Sequence, residues 1–379
     1  MRIPLLSGIY SGFLAFFMLV PLYRPIFIAH HRIQFVYVSF LFALAVFLSN
    51  INVVKYVSAK QTWALLLYVF FAILSSIYNQ QNIPFDQLGL AVFLIISFYL
   101  GVWLNLKGLV HLFFRLMGFV FIVIASYIIF QLSKSSFSYH TYYYWSGAAY
   151  KIDYLTASLY AYVLAAYFFF NGKNIVEKYA FVLFCLSFIA ICGARYSILF
   201  TVITAGYVIF KGLIKNPVKL AGSIFIIFLL FFVIVIFNSN LLSKGVDLIS
   251  YSLFRIENLG GVDNSVLGRV ELFKKALSII SQNFFLGQGV AGSAEALHSN
   301  YPHNLLLESF IDGGFFSFIF LSYFFIYSLY LVFKNKSCVW CVWVVLYLFG
   351  AYLKSFSIYE SRILFFFLGY AIGYKGSKK

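Results

Sequence analysis

Apolar runs of about 20 residues follow one another along this chain, separated by short polar breaks, and they decide what it can fold into. That length is what an α-helix needs to cross the ~30 Å of hydrocarbon in a bilayer. The runs are continuous rather than alternating, so they do not read as the strands of a β-barrel. With 63% hydrophobic and 10% charged residues, the chain lacks the polar surface of a soluble domain, in which about a quarter of residues are charged. The sequence therefore predicts an all-α polytopic membrane protein of about 12 transmembrane helices, at 5–22, 34–54, 62–78, 88–105, 111–132, 153–171, 176–193, 195–214, 218–237, 304–333, 338–354 and 358–374. Residues 1–379 read as a single transmembrane domain, and 238–303 as a long loop between spans 9 and 10. The first run follows a single Arg2, has no small-residue cleavage site and ends in VPLYRP, so it reads as an uncleaved span rather than a signal peptide.

Charge orients these spans. Placing the N-terminus in the cytoplasm puts 14 of the 27 Lys+Arg on the cytoplasmic face with one acid, Glu177, and 12 on the other face with the remaining 10 acids. The faces then carry about +13 and +2, a positive-inside pattern that also places the C-terminus in the cytoplasm. The net charge of +16 is thus mostly a topology signal and does not imply nucleic-acid binding. Apart from Arg2, every cytoplasmic loop cation is lysine, whereas the outer face holds Arg24, Arg32, Arg195, Arg255, Arg269 and Arg362 together with His303. Lysine suffices to attract anionic headgroups. Arginine adds a planar fork suited to phosphate. Chemistry is expected on the non-cytoplasmic side.

The densest polar cluster is SNYPHNLLLESFIDGG, residues 299–314, at the mouth of the tenth span. From His303 to Phe333 is 31 residues, about 46 Å of helix, so its first turns must tilt or stand in a recess. Pro302 suits a first helical turn, with Ser299 or Asn300 as the cap. His303 would then sit at the positive end of the helix dipole, which disfavours imidazolium and leaves the neutral ring a general base requires. Asn304, Glu308 and Asp312 fall at i, i+4 and i+8 and share a face expected to line a cavity. The plainer alternative is that they hydrate a helix end at the interface.

Residues 264–283 place Val266, Val270, Phe273, Leu277 and Ile280 at helical spacing, with Arg269, Lys274, Lys275 and Ser278 largely off that stripe. This is an amphipathic helix lying along the membrane surface, either a simple anchor or a carrier of Arg269 toward a phosphate. ICGARYS, 191–197, is a tight turn whose one charge is Arg195, which either snorkels or joins the outer-face chemistry. His30 and His31 lack a nearby carboxylate and do not predict a metal. Cys338 and Cys341, in CVWC, lack a second pair and are expected to serve packing. The aromatic stretch 137–150 reads as an interfacial belt or a sugar-stacking surface. No Walker, HExxH, GxSxG or phosphate-cradling glycine loop is recognised.

GRVELFKKALSIISQNFFLGQGV followed by PHNLLLESFIDGG, together with ICGARYSILFTVI, resembles the bacterial O-antigen polymerases and O-antigen ligases over roughly residues 155–333. One departure is Ser317, three residues after Gly314, where the family often has glycine. The resemblance implies a GT-C-like, membrane-embedded glycosyltransferase of the bacterial inner membrane, acting in lipopolysaccharide biosynthesis with its active site toward the periplasm. It implies an undecaprenyl-diphosphate-linked donor and acceptor, no metal and no other cofactor. His303 resembles the catalytic histidine, Arg195 and Arg269 the diphosphate-binding arginines, and Asn304 the motif's second residue. Glu308, Asp312, Arg24, Arg32, Arg255 and Arg362 are candidate helpers. The expected activity is polymerisation, transferring the growing glycan to the next lipid-linked repeat unit. The alternatives are ligation to lipid A-core and, from another class, a lipid-linked oligosaccharide flippase. Partners implied are the bilayer, a chain-length regulator and a flippase.

Overall fold

A computed structural model describes residues 5–19, 41, 43–80, 85–134, 154–192, 194–215, 264–297, 302–334 and 338–373, and these contain helices and no strands. The main elements are α1 (Leu5–Met18), α2 (Ala59–Tyr78), α3 (Phe85–Leu106), α4 (Val110–Lys134) and α5 (Tyr154–Asn171). A π-helical turn, Val176–Ala180, runs into α6 (Phe181–Cys192), and α7 (Arg195–Lys215) follows. Then come α8 (Asn264–Gln282), the short α9 (Gly292–Ala296), α10 (Leu305–Lys334), α11 (Val339–Lys354) and α12 (Arg362–Gly373). Among the described residues three helices are long and apolar enough to cross a bilayer, Ala59–Tyr78, Val110–Phe130 and Leu305–Lys334. The chain is an all-α polytopic membrane protein. The expected span 218–237 and residues 34–40 and 42 of the span 34–54 lie outside the described residues, as does the aromatic stretch 137–150.

The chain divides into two units, one of Met1–Met18, Ile33–Phe113 and Val262–Lys379, the other of Leu19–Arg32 and Phe114–Gly261. In the first, two helix pairs form the core. Helices α3 and α12 meet at glycines: a β-carbon on Gly101 would strike the Phe366 carbonyl, and one on Gly369 the Phe98 carbonyl. Small residues at such crossings let backbones approach where lipid offers no hydrophobic drive. Every residue of α12 is buried, which suits a helix apolar all round. Helices α2 and α10 run antiparallel. Gln61 Nε2 donates to Ser328 Oγ at 2.8 Å near one end, and Ser317 Oγ donates to the Tyr68 carbonyl at 3.4 Å further along. Ser317 is fully buried, and its hydroxyl is accommodated by a backbone acceptor on the facing helix.

In the second unit α4, α5, α6 and α7 pack through aromatic contacts, with Phe114 stacked on Tyr167 at 3.7 Å. Buried hydroxyls pair within it, Ser197 Oγ with Ser158 Oγ at 3.0 Å and Tyr162 with Thr204 at 2.7 Å. Arg115 Nε donates to Glu177 Oε1 at 2.7 Å.

Two expectations change. Cys338 and Cys341 form a disulfide at the start of α11, rather than serving packing alone. Helix α10 is not one straight rod from His303. It begins at Leu305 and is broken at Gly314 (φ 68°, ψ −164°).

Candidate functional site

The break in α10 organises one end of the first unit. A positive φ with extended ψ is a conformation essentially confined to glycine. In a straight helix the Ile311 and Asp312 carbonyls would accept from the amides of residues 315 and 316. Here Gln288 N donates to Ile311 O at 2.6 Å and Gly289 N to Asp312 O at 2.7 Å, while Phe315 N donates to Phe284 O at 2.9 Å. The turn 284–289 thus satisfies the backbone groups the break sets free, as burial requires. A second glycine makes the contact possible. Gly287 (φ 71°) lies so close that a β-carbon there would sit 2.5 Å from Gly314 N and from Ile311 O.

The turn continues onto α2 and the last loop. Asn79 Nδ2 donates to Gly287 O at 3.0 Å, Val290 N to Ser76 Oγ at 2.7 Å, and Ala291 N to Tyr359 Oη at 3.0 Å. GQGVAG, 287–292, holds three glycines. Its amides at 288–292 donate to protein acceptors, so they do not form an anion cradle.

Asp312 and Glu308 were expected to line a cavity. The structure buries both, at 0% and 2% exposure, and surrounds them with protein donors. Asp312 accepts from Ser293 N at 2.9 Å and from Tyr359 Oη at 2.6 Å. Glu308 accepts from Ser357 Oγ at 2.6 Å through one oxygen and from Ile358 N at 2.6 Å through the other. A buried carboxylate is tolerable only when so satisfied. The two acids staple the first segment of α10 to the 287–293 turn and to the loop 355–361 that joins α11 and α12.

His303 lies just before that segment. Asn304, not Ser299 or Asn300, caps α10: its Oδ1 accepts from Leu306 N at 3.0 Å and Leu307 N at 3.1 Å. Ser299 and Asn300 are outside the described residues, and Pro302 precedes the helix rather than opening it. His303 therefore stands outside the helix, with a left-handed backbone (φ 53°). Among the described residues only Gln80, Ala291 and His303 combine a side chain with positive φ, and two of the three belong to this region. Such conformations persist only where surrounding contacts enforce them. His303 is half-buried, with Nδ1 3.2 Å from the Ser355 carbonyl. A carbonyl oxygen only accepts, so this contact places a hydrogen on Nδ1 and leaves Nε2 as the basic nitrogen of the neutral ring.

Helix α8 rests on the same segment of α10. Ala276 and Ile280 are buried against Ile311, with Leu272, Ile279, Leu307 and Phe310 around them. Val270, Phe273 and Leu277 remain 46–47% exposed. The helix has two apolar stripes, one docked on protein and one open, where the sequence suggested a single membrane-facing stripe. Arg269 precedes Ala276 by seven residues and so falls on the docked side, where it is half-buried. Arg362 opens α12 at the far end of the 355–361 loop, 8% exposed, its guanidinium 5.8 Å from the centre of the Phe93 ring.

Residues 180–322 match the sequence profile of the O-antigen ligase family, a stretch that includes Arg195, Arg269 and the whole 303–314 segment. Over that stretch, less than half of its length, the chain is similar to the O-antigen ligase family. That likeness implies a glycosyltransferase-like membrane enzyme of ligase or polymerase type. No curated relative matches the chain. Of the residues singled out by sequence, His303, Asn304, Glu308, Asp312, Arg269 and Arg362 lie in the first unit, and Arg195 opens α7 in the second. Arg24, Arg32 and Arg255 lie outside the described residues. Sequence reasoning missed Ser355, Ser357, Tyr359, Ser76 and Asn79. The polar run KSFSIYESR, 354–362, between two apolar helices was the signal available for the first three.

Proposed function

We propose that the chain is an O-antigen polymerase, transferring the growing glycan from undecaprenyl diphosphate to the next lipid-linked repeat unit with His303 as general base. The observation that carries this reading is the setting of His303, whose backbone is left-handed and whose Nδ1 is engaged by the Ser355 carbonyl. Nε2 takes the proton from an acceptor hydroxyl as the hydroxyl oxygen bonds to the donor's anomeric carbon. The bond from that carbon to the diphosphate oxygen breaks, and the lipid diphosphate leaves with the electron pair. Positioned base catalysis of this kind contributes about 10²–10⁴-fold. The departing diphosphate needs fixed cations, and Arg269, with Arg362 as helper, carries a guanidinium fork suited to it; the sequence resemblance gives Arg195 the same role.

The geometry of α10 supports an interfacial site. Phe315–Lys334 is 20 residues, about 30 Å of helix, which matches the hydrocarbon core. At its far end Lys334 lies 5.3 Å from the Tyr330 ring and Lys60 lies 5.8 Å from the Tyr327 ring, the aromatic and cationic mixture of a membrane boundary. This supports a reading in which the break at Gly314 falls at the opposite boundary and His303 at headgroup depth, on the side that the charge pattern of the sequence assigns to the periplasm.

The purified protein in liposomes with lipid-linked repeat units tests this. Wild type is expected to lengthen glycans and His303→Ala to leave them at one repeat while folding normally. Undiminished lengthening by His303→Ala would remove the histidine from the chemistry. The second reading is ligation to lipid A-core, favoured by the family's own description. Chain growth without lipid A-core supports polymerase, and transfer only when lipid A-core is supplied supports ligase. Export of the lipid-linked unit without glycosidic bond formation would point to the flippase.

A further inference from the structure

Glu308 is buried five residues after His303, in the first turn of α10, and its two oxygens are both committed to one short segment of another element. Ser357 Oγ donates to one at 2.6 Å and the Ile358 amide to the other at 2.6 Å. Ser357 Oγ in turn accepts from Tyr359 N at 3.3 Å, closing the 3₁₀ turn Ile358–Glu360. The same segment begins at Ser355, whose carbonyl holds His303 Nδ1 at 3.2 Å. Upstream, Ser355 is fixed by its own amide, which donates to Ala351 O at 2.9 Å at the end of α11. The histidine's acceptor therefore hangs between two anchors, the last turn of α11 and the Glu308 carboxylate.

We propose that Glu308 is a positioning residue for His303. It holds the 355–358 segment so that the Ser355 carbonyl fixes the Nδ1–H tautomer and the direction of Nε2. This assignment rests on the reading of His303 as the base. Glu308 touches no reacting atom. Its effect passes through Ser357 and Ile358 to the carbonyl that orients the ring, in the way a buried acceptor orients the histidine of a hydrolytic triad. A carboxylate suits the task because the two facing donors, a hydroxyl and an amide, each need an acceptor, and glutamine offers only one. Tyr352 Oη donates to Glu360 O at 3.0 Å, and Tyr359 Oη to Asp312 at 2.6 Å. The loop thus keeps other ties when Glu308 is lost, and the proposal concerns its register at 355–358 rather than its attachment.

Two measurements on the full-length protein test the proposal. In the first, Glu308→Ala and Ser357→Ala are assayed with the lipid-linked repeat unit in liposomes, beside wild type and His303→Ala. Misplacing a catalytic group by about 1 Å costs up to about 10²-fold in rate. Glu308→Ala is expected to lower kcat by roughly that factor with KM for the lipid-linked unit nearly unchanged. Ser357→Ala, which removes one of the two bonds, is expected to lower kcat less, and Glu308→Gln, which keeps one acceptor, to recover part of the loss. In the second, ¹⁵N spectra of histidine-labelled protein at neutral pH identify the His303 tautomer, assigned by the signal missing in His303→Ala. Wild type is expected to show Nδ1 protonated, and Glu308→Ala and Ser357→Ala a mixture of tautomers. Should Glu308→Ala fail to fold, Ser357→Ala carries both measurements. Unchanged kcat together with an unchanged tautomer in either variant overturns the proposal. Activity retained by His303→Ala overturns the parent reading instead, and the spectra still decide whether Glu308 sets the ring.

Discussion

Replacing Gly314 by alanine is the most direct perturbation of this architecture. The β-carbon would strike the Phe285 carbonyl and lie 2.6 Å from Leu286 N, and the residue would be held at φ 68°. A side chain in that region of backbone space costs about 1–3 kcal/mol. The protein has two ways to respond. It can push the 284–289 turn away, or it can straighten α10 so that Ile311 O and Asp312 O return to helical partners. Both routes sacrifice the bonds from Gln288 N, Gly289 N and Phe315 N. Each such bond contributes about 0.5–1.5 kcal/mol net. If the turn is pushed away, strain and lost bonds together reach roughly 2.5–7.5 kcal/mol, and less if α10 straightens, against a total stability of about 5–15 kcal/mol for a typical protein. Gly89→Ala is the matched control. It adds the same methyl group inside α3, where nothing lies within 4 Å, and helix propensity favours it by up to ~1 kcal/mol. The assay is the temperature of half-inactivation of purified protein in detergent, alongside glycan transfer in liposomes. Gly314→Ala is expected to lose heat resistance and transfer together, with Gly89→Ala at or above wild type. Equal heat resistance and activity in Gly314→Ala and wild type would refute the claim that the break and the turn hold each other.

Other outcomes follow from the same contacts. Asp312→Ala strands the Ser293 amide and the Tyr359 hydroxyl, each about 1–3 kcal/mol when buried without a partner, and should destabilise more than Asp312→Asn, as thermal inactivation would register. Arg269→Lys should reduce transfer by raising KM for the lipid-linked donor, because a point charge replaces the guanidinium fork poorly; unchanged kinetics would exclude a phosphate contact there. Transfer should fall about tenfold per pH unit on the acid side of its profile, since protonating Nε2 of His303 removes the base; a flat acid limb would argue against histidine. Thiol counting on the denatured chain should find two thiols, those of Cys185 and Cys192, before reduction and all four afterwards, and four before reduction would exclude the Cys338–Cys341 bond.

Much of the helical framework was legible because apolar runs of membrane length leave little else to form. The spans expected at 62–78, 111–132 and 195–214 correspond to Ala59–Tyr78, Val110–Lys134 and Arg195–Lys215. The region of His303 was legible as well, since polar residues crowd that one helix mouth. Its internal logic was not. Asp312, Gly313 and Gly314 interrupt the apolar pattern, but the break itself meets the acceptor demand of amides at 288 and 289, about 25 residues upstream, which no local pattern announces. Spacing correctly placed Glu308 and Asp312 on one face, but spacing does not say whether solvent or protein meets that face. The partners come from 293 and 357–359, segments joined to the acids by tertiary folding alone. The start of α10 was misplaced because proline before histidine reads as a first turn, whereas the left-handed backbone of His303 moves the cap to Asn304.

The interruption at Gly314 divides α10 into a ruler and a shelf. Twenty residues gauge the lipid, and the nine before them present the reactive end at a set height. Adding one residue to the ruler would lift the shelf ~1.5 Å and swing it by about 100°, out of reach of the turn that steadies it. Under the proposed function bilayer thickness becomes a parameter of turnover: in thinner or thicker membranes the same amino acids would meet the lipid pyrophosphate at the wrong altitude.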